Sequence, residues 1–135
     1  MKTPPLDMLT AVKKVIAHAY APYSHFSVAA CVRTNDGTLF SGCNVENASF
    51  SLTLCAESNA LGAAFSAGYQ TITEALILVS DKKVCPPCGA CRQRLLECAN
   101  KNILVHLCTM HGDYTSYTLS ELLPHAFGPK NLEEK

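Results

Sequence analysis

Net charge is missing from this sequence. Its 11 Lys and Arg balance 11 Asp and Glu over 135 residues. A neutral total implies no strongly cationic face, which argues against a nucleic-acid backbone as the partner. No uninterrupted apolar run is long enough to span a bilayer. Met1 to Pro5 lacks the apolar core of a signal peptide, and the next stretch is amphipathic, with Lys13 and Lys14. There is no internal repeat and no low-complexity linker. The length therefore fits one domain, 1–135, large enough to bury a core without staples. The five His are scattered and form no ligand pair. His25, in a polar loop beside Phe26, is the one to watch, and a surface role suits it best. These absences predict a soluble, cytoplasmic, reduced chain with no membrane partner.

Cysteine is abundant, with 8 residues. In a secreted chain that count would read as a disulfide framework; in a cytosolic one, clustered Cys read as metal ligands. Leu6, Leu9, Val12, Val15, Ile16 and Ala19 recur at helical spacing, which predicts a helix from about Leu6 to Tyr20, ended by Ala21-Pro22. Phe26, Val28, Ala30 and Val32 alternate along a strand to Arg33. Asn35-Asp36-Gly37 turns the chain, and Thr38 to Gly42 returns it. A second helix begins near Cys55, runs through Leu61, Ala64 and Phe65, and stops at Gly68. The apolar run Ala75 to Val79 suits a strand covered on both faces. A third helix follows Pro86-Pro87, from Cys88 to about Ala99. Ile103 to Leu107 and Tyr114 to Thr118 are strands, and a short helix lies near Glu121. The tail from Asn131 to Lys135 is charged and expected to fray. This alternation predicts an α/β sandwich, and the strand–helix–strand segment from Ala75 to Leu107 predicts a right-handed parallel crossover.

Cys55-Ala56-Glu57 and Pro87-Cys88-Gly89-Ala90-Cys91 carry the chemistry. Cys88 and Cys91 are three apart, so at the start of a helix one cation can take both sulfurs. The helix dipole and first-turn N–H groups favour thiolate over thiol. Cys55 also precedes a helix and can supply a third sulfur. Three protein ligands leave one tetrahedral position for water, beside which Glu57 can move protons. Zinc with three thiolates carries a formal charge of about −1, so something must offset it: dipoles, N–H groups or a cationic side chain. Cys85-Pro86-Pro87-Cys88 is an overlapping C-x-x-C, but the double proline prevents a helix joining its two sulfurs. Cys31, Cys43, Cys98 and Cys108 read as small buried apolar residues. On its own, Phe26 reads as core, the Asn44/Glu46 loop as solvated, and Phe127 as a pin for the tail.

Further motifs carry a resemblance. They are Tyr20-Ala21-Pro22-Tyr23-Ser24-His25-Phe26-Ser27-Val28, Gly42-Cys43-Asn44-Val45-Glu46-Asn47-Ala48-Ser49-Phe50, the two zinc motifs through Arg92-Gln93, and Leu122-Leu123-Pro124-His125-Ala126-Phe127-Gly128-Pro129. In this order the chain resembles the short, homotetrameric, three-cysteine cytidine deaminases over nearly its whole length. The resemblance implies a three-layer α-β-α sandwich around a mixed, roughly five-stranded sheet. It implies one Zn2+ per subunit on Cys55, Cys88 and Cys91, with Glu57 as the proton shuttle while a zinc-activated water attacks C4. It further implies Asn44 and Glu46 on the ribose 3′-hydroxyl, Phe26 stacking near the pyrimidine, the Ala56 N–H holding the base, and Phe127 reaching a neighbouring subunit's site. The implied reaction is hydrolytic deamination of cytidine and 2′-deoxycytidine in pyrimidine salvage.

The chain departs from the family pattern twice. Ser58 stands where an arginine usually follows the glutamate, which leaves Arg92 as a candidate for the compensating cation. Phe50 stands where tyrosine is common, so packing should remain while any hydroxyl contact is lost. Three rivals share parts of the pattern. A deaminase of bases in nucleic acid is disfavoured by neutral charge and the sugar-binding loop. A structural zinc or redox module leaves Glu57 without a task. A blasticidin S-like deaminase fits the Phe127-Gly128 segment less well.

Overall fold

The central strands are apolar on both faces, and that decides the layering. The computed structural model describes residues 2–133. Five strands, β1 (Val28–Thr34), β2 (Leu39–Cys43), β3 (Ile72–Val79), β4 (Leu104–Thr109) and β5 (Tyr114–Thr118), form one sheet in the order β2-β1-β3-β4-β5. Only β3 and β4 are parallel; the other neighbours are antiparallel. Successive side chains point to opposite faces of a strand. Ala29, Cys31, Leu76 and Leu78 accordingly pack against Met8 and Val12 of helix α1 (Leu6–Val15). Ala30, Val32, Ala75, Ile77 and Val79 pack on the other side against helices α2 (Ala56–Ser66), α3 (Gly89–Cys98) and α4 (Leu119–Leu122). The sandwich and the parallel β3–α3–β4 crossover are those expected from the alternation of elements.

Several boundaries differ from the sequence pattern, each for a local reason. The first helix ends at Val15 and tightens into a 3-10 turn, Ile16–His18, instead of running to Tyr20. Tyr20 is drawn into extended pairing with the loop after β2: its N–H donates to the Asn44 carbonyl at 2.9 Å, and its carbonyl accepts from Glu46 at 2.8 Å. β1 starts at Val28, not Phe26, because the Asn44 amide takes the backbone groups of Phe26 and Val28. β3 begins three residues before Ala75. Its polar Glu74 is paired, at 2.9 Å to Arg33 Nε and 2.6 Å to His106 Nε2, and Arg33 also holds Asp7 of α1 in a bidentate contact. A 3-10 turn, Pro129–Leu132, occupies part of the segment expected to fray, while Glu134 and Lys135 lie outside the described residues. Cys31, Cys98 and Cys108 are buried as expected, and Cys43 is half-buried. His25 is exposed, with a left-handed φ of 58°.

Two glycines fix α2. Gly68, at φ +96°, ends the helix; its N–H donates to the Phe65 carbonyl, and the Tyr69 N–H reaches back to Ala64. Gly42 lies under the other end. A Cβ there would stand 2.7 Å from the Ala60 nitrogen and 2.7 Å from Asn59 Cβ, so helix and strand approach at backbone distance. Asn59 Nδ2 completes the contact by donating to the Cys43 carbonyl at 2.7 Å. No described helix is long and apolar enough to cross a membrane.

Candidate active site and metal centre

Helix starts supply the site. Cys55 is the residue that precedes α2, and Cys88 the residue that precedes α3; both are extended, with ψ of 150° and 166°. Cys91 sits in the first turn of α3. The crossover places the start of α3 beyond the end of β3, next to the start of α2 packed over β1 and β2. The sulfurs of Cys55, Cys88 and Cys91 consequently lie within 4.8 Å of one another, the one such group of three among the described residues. Tetrahedral zinc with bonds of about 2.3 Å needs sulfurs roughly 3.8 Å apart, so the trio fits that ion after small side-chain adjustments. Cys85, the overlapping alternative, lines the neighbouring cavity but does not join the trio.

The thiols differ in their surroundings. Burial pushes Cys88 up, but the N–H groups of Cys91 and Ala90 and the Cys91 thiol outweigh it and hold Cys88 below the ordinary thiol value. Burial dominates at Cys91 and Cys55 and raises both; the negative charge of Glu57 adds to the rise. A bound cation is what lets three such sulfurs ionise together.

Glu57 is 6% exposed and faces a cavity of about 260 Å³, with Ala56, Phe26, Val28, Asn44, Ile77 and Val79 among its walls. Burial raises the Glu57 carboxyl above its ordinary value, while its own backbone N–H, the Cys91 thiol and the Arg94 charge pull the other way. A carboxyl raised toward neutrality can accept and return a proton. A second hollow of about 330 Å³ adjoins, lined by Tyr23, Ser24, Glu46, Phe50 and Thr53; Thr53 belongs to both. There the Glu46 carboxylate accepts N–H bonds from Tyr23 at 3.0 Å and Ser24 at 3.2 Å and a hydroxyl from Ser24, which holds it below its ordinary value. Asn44 accepts from the Val28 N–H at 3.0 Å and donates to the Phe26 carbonyl at 2.8 Å, which leaves one amide hydrogen and one lone pair for a ligand. Phe50 meets Tyr23 edge-on with ring centroids 5.8 Å apart, so packing survives without a tyrosine hydroxyl.

One residue is placed otherwise than the sequence suggested. Arg92 does not face the thiols: Nε donates to the Pro87 carbonyl at 2.7 Å and Nη1 to the Leu122 carbonyl at 2.6 Å, tying α3 to α4. The guanidinium at the sulfurs belongs to Arg94, whose Nη1 is 3.9 Å from Cys91 Sγ. Its spacing of three from Cys91 was the signal that could have found it. Phe127 is 57% exposed and absent from the walls of its own chain's cavity; only its carbonyl is held, by Gln93 at 2.8 Å.

Comparison with known proteins agrees with this geometry. Residues 4–107 match the family model described as the cytidine and deoxycytidylate deaminase zinc-binding region. A cytidine deaminase of Halalkalibacterium halodurans is 41% identical over 116 residues, covering 86% of this chain and 88% of its own. One from Mycobacterium tuberculosis is 40% identical over 116 residues, covering 86% and 84%. The crystal structure of cytidine deaminase from Burkholderia pseudomallei superposes with a TM-score of 0.86 at 41% identity, over 93% of this chain and 100% of that one. A core match of this extent, with the three sulfurs and the buried carboxylate in place, leaves one conclusion: the chain belongs to the cytidine and deoxycytidylate deaminase family of zinc proteins.

Proposed function

We propose that the protein hydrolyses the exocyclic amine of cytidine and 2′-deoxycytidine, giving uridine or 2′-deoxyuridine and ammonia. The observation that carries the reading is the meeting, at two helix starts, of three sulfurs within 4.8 Å and a carboxylate buried in the adjoining cavity. Cys55, Cys88 and Cys91 would hold zinc, which when bound supplies Lewis acidity that brings a water's pKa toward about 7. Glu57 would take one proton from the attacking water and deliver it to cytosine N3; it would then take the second proton from the oxygen now bonded to C4 and pass it to the amine, so that ammonia leaves and the C4 oxygen becomes the uracil carbonyl. Phe26 packs near the pyrimidine, and the Ala56 N–H, unpaired at the start of α2, is available to the base. Glu46, and the free amide hydrogen and lone pair of Asn44, face the sugar hydroxyls. A site built on such bonds rejects ligands that leave its polar groups unpaired. A cavity of about 260 Å³ beside a separate sugar hollow suits a free nucleoside better than a strand.

The same reading places Phe127, with the exposed Phe50, Leu52 and Leu54, at contacts between copies of the chain in a homotetramer with shared sites. Eight cysteines with no disulfide among them suit a cytoplasmic compartment, and conversion of cytidine to uridine suits pyrimidine salvage. Incubation of zinc-replete protein with cytidine should remove the cytidine absorbance and release one ammonia per uridine. Absence of turnover, or turnover of single-stranded oligonucleotides undiminished by excess cytidine, would sink the proposal. Light scattering should give four times the chain mass.

A further inference from the structure

We infer that the Arg94 guanidinium offsets the negative charge of the three-thiolate centre, as a positioning residue that acts through the Cys91 sulfur. Three thiolates around a dication sum to −1, which weakens the dication's pull on a water's electrons. A cationic donor on one sulfur draws electron density from it and restores part of that pull. Arg94 follows Cys91 by one helical turn and projects from the same face of α3; its Nη1 lies 3.9 Å from Cys91 Sγ. Among the described residues it is the one basic side chain bonded to a sulfur of the trio. Arg94 does not line the cavity, so it makes no substrate contact; its charge reaches Glu57 as well as the thiolate, and a sulfur-to-cobalt charge-transfer band reads the thiolate alone.

Neither neighbouring side chain serves. Arg92 is committed to the Pro87 and Leu122 carbonyls. Ser58, next to Glu57 on α2, brings no charge, and its buried hydroxyl oxygen has no partner. Cation and sulfur therefore come from the same helix, so their spacing survives any shift of α2 against α3.

The inference rests on zinc binding by the trio, and the test separates the two. Arg94→Ala should lower kcat for cytidine about tenfold with KM within about twofold, at unchanged zinc content. In the cobalt(II)-substituted protein the sulfur-to-metal charge-transfer band should move to longer wavelength, because the sulfur becomes more electron-rich. Arg94→Lys should keep most of kcat and a band close to that of the unaltered protein. Arg94→Gln, which keeps the aliphatic stem and a polar amide end but removes the charge, replaces the alanine variant if that one does not fold. No sulfur-to-cobalt band in the unaltered protein would overturn the three-thiolate reading itself. A band at the same position in the neutral variants, or kcat within twofold of the unaltered protein, would overturn the role of Arg94 alone.

Discussion

Replacing Gly42 by alanine tests whether the site depends on how closely α2 is seated against β2. The added Cβ would lie 2.7 Å from the Ala60 nitrogen, 2.7 Å from Asn59 Cβ and 2.9 Å from the Asn59 carbonyl carbon. Two of these are backbone atoms of α2, so no side-chain rotation relieves the clash. Ordinary contact begins at 3.4 Å, which requires the helix to move outward by about 0.7 Å. Overpacking of this kind costs about 1–3 kcal/mol, and a clash with backbone belongs at the upper end, about 2–3. For 135 residues the unfolding entropy is about 0.28 kcal/mol/K, so Tm should fall by about 7–11 °C. The shift also matters for chemistry, since Asn59 lies two residues beyond Glu57 and α2 begins at Ala56. Displacement approaching 1 Å can cost about a hundredfold in rate, so kcat should drop by about 10- to 100-fold. Calorimetry at matched protein concentration, with zinc content and cytidine turnover on the same samples, reads all three. A melting temperature within 2 °C of the unaltered protein, with full activity, would refute the argument that this contact seats the helix.

Other expectations follow from the same geometry. Glu57→Gln keeps the shape of a buried side chain and removes its proton traffic; kcat should fall by about 10⁴-fold with zinc retained, and substantial residual turnover in metal-loaded protein would contradict the assigned role. Cys88→Ala leaves two sulfurs, and metal analysis after dialysis should find the zinc lost; full retention would remove Cys88 from the ligand set. Asp36 is held below its ordinary 3.8 by the side chain and N–H of Thr38, the Thr34 hydroxyl and the Tyr69 hydroxyl. A depressed carboxyl stabilises the fold above the unfolded value and loses that contribution as pH falls toward the folded one. Denaturant titrations should therefore show stability declining below about pH 4, less steeply in Asp36→Asn; equal slopes would show that the hairpin carboxylate does not contribute.

Most element types were legible because their signals are local. The alternation in β1 reports one buried face and the apolar run of β3 reports two, and the pattern around Gly37 and Gly68 marks reversals with positive φ; that β1 is buried on its second face as well came from the helix packed there. Boundaries were less so, since they follow partners distant in sequence. Tyr20 leaves the helix for Asn44 and Glu46, and Glu74 enters a strand because Arg33 and His106 pair with it. Arg92 looked like the cation at the thiols because it directly follows Cys91. Helical geometry turns it toward the Pro87 and Leu122 carbonyls, and residue 94 returns to the sulfur's face.

The residues by themselves determined the donors: two cysteines one turn apart behind a proline, a third before another helix, and a glutamate two positions on, since helix periodicity and N-terminal polarity act over a few residues. Tertiary structure decided that these helix starts meet. The parallel crossover, the backbone approach at Gly42 and the two-sided sheet bring Cys55 within 4.8 Å of residues more than thirty positions away. It also decided that Arg92 is taken up by the Leu122 carbonyl and that Phe127 stands outside its own cavity. Such facts depend on where whole elements pack, and no local spacing encodes that.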